Sequence, residues 1–159
     1  MIYNLNFFTQ YGQFYVVDKG TDGETDDLEF WSDAALHERL ACENGILGIS
    51  IENDYCTVMG DLEILNSPPV NEDPNADHIV EASIEIKSGT LEIQDCPLSS
   101  VIQTVALENR SYRVRESSYN LDEAYQGVDD QKPIHRYRIE IWKESFSANK
   151  VLKQWISNY

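Results

Sequence analysis

The sequence predicts a mainly β protein: an antiparallel β-sandwich with one short inserted helix and a C-terminal helix. Short segments rich in β-branched and aromatic residues recur along the chain, such as QFYVV and ILGISI. Residues 80–87 alternate between apolar and polar side chains, as a half-buried strand does. A chain of 159 residues suits one domain, which we predict as a sandwich over 1–145 and a helix over 146–159.

The predicted strands follow one another with short polar connections. They are NLNFF (4–8), QFYVV (13–17), ILGISI (46–51), YCTVMGDLEIL (55–65), VEASIEIK (80–87), TLEIQ (90–94), SVIQTVALE (100–108), SYRVRE (111–116) and IHRYRIEIW (134–142). Ser88 and Gly89 predict a two-residue turn. Segments 80–87 and 90–94 are therefore expected to pair as a hairpin, with Glu85 facing Glu92.

Two helices are predicted from capping residues and apolar spacing. Ser32 is a suitable N-cap, Asp33 favours the positive end of the helix dipole, and Trp31 is expected to pack on Leu36. Asn44-Gly45 is the predicted end of this helix. The second helix, Ser147 to Ser157, would place its apolar residues on one face.

The formal net charge is −16 and is concentrated in the first two thirds of the chain. Residues 1–109 contain 21 of the 28 acidic residues but only 3 of the 12 Lys and Arg residues. Such a field repels nucleic acid and anionic membranes and attracts a basic protein. The alternative is that the acidity only maintains solubility.

The segment DKGTDGETDDLE, residues 18–29, is named here the acidic loop. It permits three interpretations: a calcium site, a surface for a basic partner, or a solvated loop. Aligned on a calcium-binding EF-hand loop, Asp18, Asp22, Gly23, Asp26 and Glu29 occupy suitable positions. However, Gly20 supplies no ligand, Thr25 replaces an apolar residue, and the flanks are not helical. We therefore predict no metal site.

No sequence motif predicts an enzyme or a cofactor. The nucleophile-elbow and phosphate-binding glycine motifs are absent, and His37, His78 and His135 are widely separated. The three cysteines predict reduced, buried thiols: Cys42, Cys56 and Cys96. The outward-facing arginines of two late strands could bind RNA, but pairing with neighbouring carboxylates is favoured: Arg113, Arg115, Arg136 and Arg138.

Four runs resemble a known family: YGQFYVVDKG, FWSDAALHERLACENGILGISIEND, SYRVRESSYNLDEA and HRYRIEIW. They are similar to the competence protein J-like family, whose namesake inhibits the DNA-entry nuclease. The resemblance covers residues 5–142. It rests on Tyr11, Phe14, Trp31, Asp33, Ala35, Gly45, Ile49, Ile51, Tyr112, Val114, Tyr137 and Ile139. These are turn and core residues, so the resemblance implies the fold more strongly than the activity.

The resemblance implies an acidic inhibitor or immunity-like protein that occludes a basic partner such as a nuclease or toxin. The alternative is a calcium- or small-ligand-binding β-sandwich module. Candidate contact residues, chosen for charge and expected exposure, are Asp18, Asp22, Glu24, Asp26, Asp27, Asp122, Glu123, Asp129 and Asp130. No catalytic residue is predicted. The N-terminal MIYNLNFF lacks the features of a signal peptide, so a cytoplasmic location is expected.

Overall fold

The computed structural model describes residues 1–125 and 136–157 of the chain. Within these ranges the mainly β prediction is confirmed. The strands are β1 (Ile2–Gln10), β2 (Gln13–Asp18), β3 (Leu40–Glu43), β4 (Ile46–Ser50), β5 (Tyr55–Ile64), β6 (His78–Ile86), β7 (Thr90–Gln94), β8 (Val101–Ala106), β9 (Arg110–Tyr119), β10 (Arg136–Lys143) and β11 (Lys150–Lys153). The helices are α1 (Asp33–Glu38) and α2 (Leu121–Tyr125).

The strands form two sheets that pack face to face. The first sheet has the order β1-β5-β10-β9-β6-β11, and the second has the order β3-β4-β2-β7-β8. Neighbouring strands are antiparallel, apart from β5 and β10, which are parallel. Residues with period-two spacing from both sheets fill the core between them. Phe14 lies at its centre, with ring centroids 5.4 Å from Phe7 and 6.1 Å from Tyr137.

The second sheet is also covered on its outer face. The acidic loop and α1 fold over it and bury a second cluster that includes Tyr15, Val17, Phe30 and Ile46. Gly48 makes this packing possible, because a Cβ there would lie 2.9 Å from the Phe30 ring and 3.0 Å from that of Trp31. The acidic loop is therefore attached to a rigid surface.

Helix α1 begins as predicted but ends earlier. The Ser32 Oγ accepts a hydrogen bond from the Ala35 amide at 3.2 Å. Arg39 adopts a left-handed conformation with φ 62° and ends the helix. The Asn44-Gly45 pair is instead the turn between β3 and β4. The expected contact of Trp31 with Leu36 is replaced by edge-on packing against Phe30, and Leu36 is exposed.

The predicted hairpin at Ser88-Gly89 is wrong, because β6 and β7 belong to different sheets. β6 pairs with β9 and β11, whereas β7 pairs with β2 and β8. Glu85 and Glu92 therefore do not face each other. Alternation of apolar and polar residues shows which side chains of a strand are buried, but not which strand it pairs with. A chain that crosses from one sheet to the other buries the apolar faces of β6 and β7 as well as a hairpin would.

The predicted C-terminal helix is also wrong. Residues 150–153 form β11, which pairs with the open edge of β6, and the described residues after it are not helical. Val151 and Trp155 still pack against the core, as an amphipathic helix would have placed them. The pairing edge of β6 is distant in sequence, so local spacing could not reveal it.

Candidate partner-binding surface

Asp18 is the first predicted contact residue, and the structure gives it an internal role. The residue is 5% exposed at the end of β2. Its carboxylate accepts hydrogen bonds from the Lys87 amide, the Ser88 amide and the Ser88 Oγ at 3.1, 3.1 and 2.6 Å. These contacts fix the crossover between β6 and β7. Asp18 is therefore a structural residue rather than part of a free acidic surface.

The acidic loop is held in place against the turn between β3 and β4. The Thr21 Oγ1 donates to the Asn44 carbonyl at 2.6 Å, and the Asn44 Nδ2 donates to Asp22 Oδ1 at 3.0 Å. Gly23 passes so close that a Cβ would lie 2.3 Å from the Asn44 carbonyl oxygen. At the far end, Asp27 Oδ1 accepts from the Glu29 amide at 2.9 Å. These contacts give the loop one defined conformation.

The carboxylates between these attachments face solvent. Asp22, Glu24, Asp26 and Asp27 are all exposed, as the sequence predicted. Exposed Glu43 of β3 lies on the same depression as Asp22, Glu24 and Asp27, although sequence analysis did not select it. Across residues 1–125 and 136–157, no ion pair involves any of these five carboxylates. The loop therefore displays unneutralised charge on a fixed backbone.

The same geometry disfavours calcium binding by the acidic loop. Both oxygens of Asp18, the first expected ligand, already accept hydrogen bonds from residues 87 and 88. In the described part of the chain, no three His, Cys, Asp or Glu side chains are grouped so that they could hold a metal ion. A separate feature of this region is a cavity of about 490 Å³, which lies between the acidic loop and Tyr15, Val17 and Ile46 of the second sheet.

The second predicted acidic segment lies elsewhere. Helix α2 is fixed beside the start of β6, because the Leu121 amide donates to Asp77 Oδ2 at 2.9 Å. Asp18 lies at the other end of this nine-residue strand, a span of roughly 30 Å. Asp122 accepts a hydrogen bond from the Trp155 Nε1 at 3.0 Å, and Glu123 is exposed. Asp129 and Asp130 lie outside the described residues.

The arginine stripe is paired within the protein, as the favoured interpretation expected. The Glu81 carboxylate forms ion pairs with the Arg113 Nε at 3.3 Å and the Arg115 Nε at 2.8 Å, and all three side chains are largely buried. On β10, Arg136 pairs with Asp61, and Arg138 pairs with Glu63 at 2.7 Å. Glu81 lies on the first strand of the predicted hairpin, whereas the partners of Arg136 and Arg138 come from β5. This pairing disfavours the RNA-binding interpretation.

A buried polar cluster at the start of β6 was not anticipated from the sequence. Glu116 is fully buried and accepts a hydrogen bond from the Ser118 Oγ at 2.5 Å, and burial raises its pKa to about 7. His78 is also fully buried; its Nδ1 accepts from the Trp155 amide at 3.1 Å, so its Nε2 donates to the Glu38 carbonyl at 2.7 Å. Burial lowers the pKa of His78 to about 4. Neither group can meet a ligand while the fold is closed.

The prediction of three buried thiols is confirmed for two of them. Cys56 and Cys96 are buried thiols, whereas Cys42, near the end of an edge strand, is exposed and contacts Asn149. Neither helix in the described chain has the length and hydropathy to span a bilayer.

Comparison with solved structures defines the class of fold. The chain shares its β-sandwich architecture with solved structures, although no protein-family model and no curated protein matches it. One solved structure is ComJ from Bacillus subtilis, an inhibitor of the DNA-degrading activity of NucA. The match has a TM-score of 0.62 at 15% identity and covers 91% of this chain and 99% of ComJ.

A second solved structure, described as crocagin biosynthetic gene J, has a TM-score of 0.57 at 18% identity. That match covers 91% of this chain and 97% of the other. The predicted resemblance to the competence protein J-like family is thereby confirmed at the level of the fold.

Proposed function

We propose that this protein is a non-catalytic inhibitor or immunity-like protein that binds and occludes a basic protein partner, with a nuclease as the favoured partner. The observation that carries the proposal is the acidic loop, whose exposed carboxylates have no ion-pair partner among the described residues. The fold shared with ComJ, an inhibitor of a nuclease, supports the same function. The proposed location is the cytoplasm.

The proposed mechanism is electrostatic mimicry combined with steric occlusion. A nuclease binds the DNA backbone through cationic side chains, and carboxylates on a fixed loop can occupy the same positions. The attachments to Asn44 and the turn at Asp27 hold the loop in place before binding, so little conformational entropy is lost on association. We include Asp22, Glu24, Asp26, Asp27 and Glu43 in the contact surface.

The proposed contact surface differs from the set of contact residues predicted from the sequence. Asp18 is left out of the contact surface because its carboxylate is engaged internally. Glu123 is exposed on α2 and is a secondary candidate, at the other end of β6 from Asp18. Asp122, Asp129 and Asp130 stay predictions from the sequence.

The first experiment identifies the partner and tests its activity. Immobilised protein is used to capture partners from a lysate of the source organism; bound protein is eluted with salt and identified by mass. The purified partner is then assayed for degradation of plasmid DNA. We expect a basic nuclease whose activity falls in proportion to the inhibitor added. A purified partner whose activity is unchanged at saturating inhibitor would contradict occlusion of its active site.

A second experiment locates the contact surface. The variant Asp22→Lys, Glu24→Lys, Asp26→Lys should associate with the partner about tenfold more slowly, with a weaker dependence on salt, because steering by opposite charge is reversed. The control Asp54→Lys, Glu72→Lys, Glu85→Lys makes the same change in net charge at exposed positions outside the loop. Equal association rates for the two variants would count against the loop.

A further inference from the structure

β1 is the outermost strand of the first sheet, and its outer edge is open. Met1 and Ile64 exchange backbone hydrogen bonds at 3.5 and 3.1 Å, so the odd-numbered residues of β1 direct their backbone groups toward β5. The even-numbered residues direct theirs away. Gln10 follows this rule, since its amide donates to the Cys96 carbonyl at 2.9 Å.

Four earlier residues of β1 have the same outward orientation: Ile2, Asn4, Asn6 and Phe8. Within residues 1–125 and 136–157, their outward N–H and C=O groups have no backbone partner. Their side chains are also exposed on the outer face of the sheet. This part of the edge is therefore a template for a further strand.

β1 lacks the usual protection of an edge strand. Edges are normally protected by charged residues, proline, a bulge or short length. Residues 1–17 contain no Lys, Arg, Asp, Glu or Pro, and the register with β5 runs unbroken from Ile2 to Gln10. By contrast, β11 is short and carries Lys150 and Lys153, β3 has four residues, and the pairing of β8 is interrupted by a register shift.

We propose that β1 pairs antiparallel with β1 of a second copy of this chain, joining two first sheets into one continuous sheet. The pattern of the outward residues is self-complementary. With the two-fold axis at Leu5, Ile2 lies opposite Phe8 of the second copy, and Asn4 lies opposite Asn6. Apolar side chains then meet apolar ones, and amides meet amides, in an isologous contact.

The structure disfavours a neighbouring register. Moving the second copy by two residues would place Ile2 opposite Gln10, whose outward amide is already bonded to Cys96. The apolar side chains that this register brings together are exposed in the single chain, Ile2 by 60% and Phe8 by 49%. Pairing therefore places an exposed apolar side chain against another at each end of the contact.

Charge favours a second copy over the basic partner proposed for the acidic loop. The segment that contains β1 has no charged residue in a chain whose net charge is −16, so a cationic strand finds no complementary charge on it. Two copies repel each other through their remaining surfaces, and an uncharged edge is where that repulsion is weakest. Salt should consequently strengthen self-association while weakening binding of a basic partner. The two proposals can thus fail independently.

Sedimentation equilibrium of the purified chain tests the pairing. We expect a monomer–dimer equilibrium that shifts toward the dimer as NaCl concentration rises. The variant Asn4→Lys, Asn6→Lys places lysine opposite lysine twice and should raise the dimer dissociation constant about tenfold or more. The variant Asn4→Lys, Asn6→Glu places lysine opposite glutamate twice and should restore the dimer.

The control Asn66→Lys, Ser67→Lys makes the same charge change as the double-lysine variant in an exposed loop and should leave the dimer intact. Hydrogen exchange gives a residue-level readout. Amides of Asn4, Asn6 and Phe8 should become protected as protein concentration rises, whereas those of Tyr3, Leu5 and Phe7 are already bonded to β5. A parent chain that stays monomeric at every concentration, or a dimer unaffected by both β1 variants, would overturn the proposal.

Discussion

At the scale of single residues, the acidic side chains have different roles. Asp18 belongs by sequence to the most acidic segment of the chain, yet it is buried and fixes a crossover between the sheets. Asp26, eight residues later, is exposed. Net charge therefore overstates the number of carboxylates that are free to meet a partner.

Asp18→Asn should lower the free energy of unfolding by about 2 kcal/mol, because an amide cannot accept all three hydrogen bonds and loses their charge assistance. Urea denaturation measures the change. The matched substitution Asp26→Asn, at an exposed position of the same loop, should change stability by less than about 0.5 kcal/mol. Similar losses for the two variants would show that burial of Asp18 does not matter.

Two buried titratable residues should give opposite contributions to the pH dependence of stability. His78 has a pKa lowered from 6.5 to about 4 by burial, with Arg39 and His37 adding to the effect. As pH falls from 6.5 to 4, the unfolded chain therefore binds a proton on this histidine before the folded protein does. The free energy of unfolding decreases over this range. Glu116 has a pKa raised from 4.5 to about 7. The unfolded chain therefore releases this proton first as pH rises from 4.5 to 7, and the free energy of unfolding decreases.

Urea denaturation at several pH values between 4 and 7 tests both signs. Glu116→Gln should remove a loss of stability at the upper end of this range, and His78→Asn should remove one at the lower end. Each effect is on the order of 3 kcal/mol at most, from shifts of about 2.5 pH units. Glu85→Gln, at an exposed position of β6, serves as the control. Slopes that change in the same direction for the first two variants would refute the assignment.

At the scale of elements, the C-terminal segment seals one end of the sandwich. β11 extends the first sheet, and the following Trp155 joins three parts of the fold. Its amide donates to His78, its indole donates to Asp122, and Arg39 lies 5.2 Å above its ring. A segment that sequence spacing predicted as a helix therefore completes both the sheet and a polar cluster.

Trp155→Ala should destabilise the protein by about 2–4 kcal/mol, since it removes the packing of the ring, its contact with Arg39 and the indole hydrogen bond to Asp122. Hydrogen exchange should also show faster opening of residues 150–153 before global unfolding. Ile156→Ala is the control, because this neighbouring side chain is 77% exposed. A Trp155→Ala protein as stable as the Ile156→Ala protein would show that the segment contributes little.

At the scale of the whole molecule, the unpaired negative charge opposes folding. Arg113, Arg115, Arg136 and Arg138 are committed to pairs on the first sheet, so they do not offset the acidic loop on the other side of the sandwich. The compact state therefore carries repulsion between carboxylates that the unfolded chain relieves. The proposed partner would relieve the same repulsion on binding.

Moderate NaCl should raise the Tm of the dilute monomer by several degrees, because screening weakens this repulsion. The variant Asp22→Lys, Glu24→Lys, Asp26→Lys should have a higher Tm at low salt and a smaller response to NaCl. Calorimetry is repeated on proteins that also carry Asn4→Lys and Asn6→Lys. Because these substitutions weaken the proposed dimer, they separate the effect of screening from that of self-association. A Tm that falls with added NaCl would mean that attractive pairs outweigh the repulsion.

Local sequence was sufficient to predict the mainly β class, most strand positions, the Ser32 cap and the exposed acidic loop. Each depends on neighbours within a few residues: period-two alternation, capping chemistry and local charge density. The pairing of Arg113 with a carboxylate was also predictable, because a cationic side chain facing outward on a sheet needs an acceptor.

Local sequence could not predict which strands pair, where Asp18 points, or that residues 150–153 extend a sheet. These outcomes depend on backbone groups distant in sequence. Asp18 meets Ser88, β11 meets β6, and His78 meets Trp155 only when both sheets are assembled. Side-chain periodicity specifies which face is buried, whereas hydrogen bonds and buried charges require partners that only the folded chain brings together.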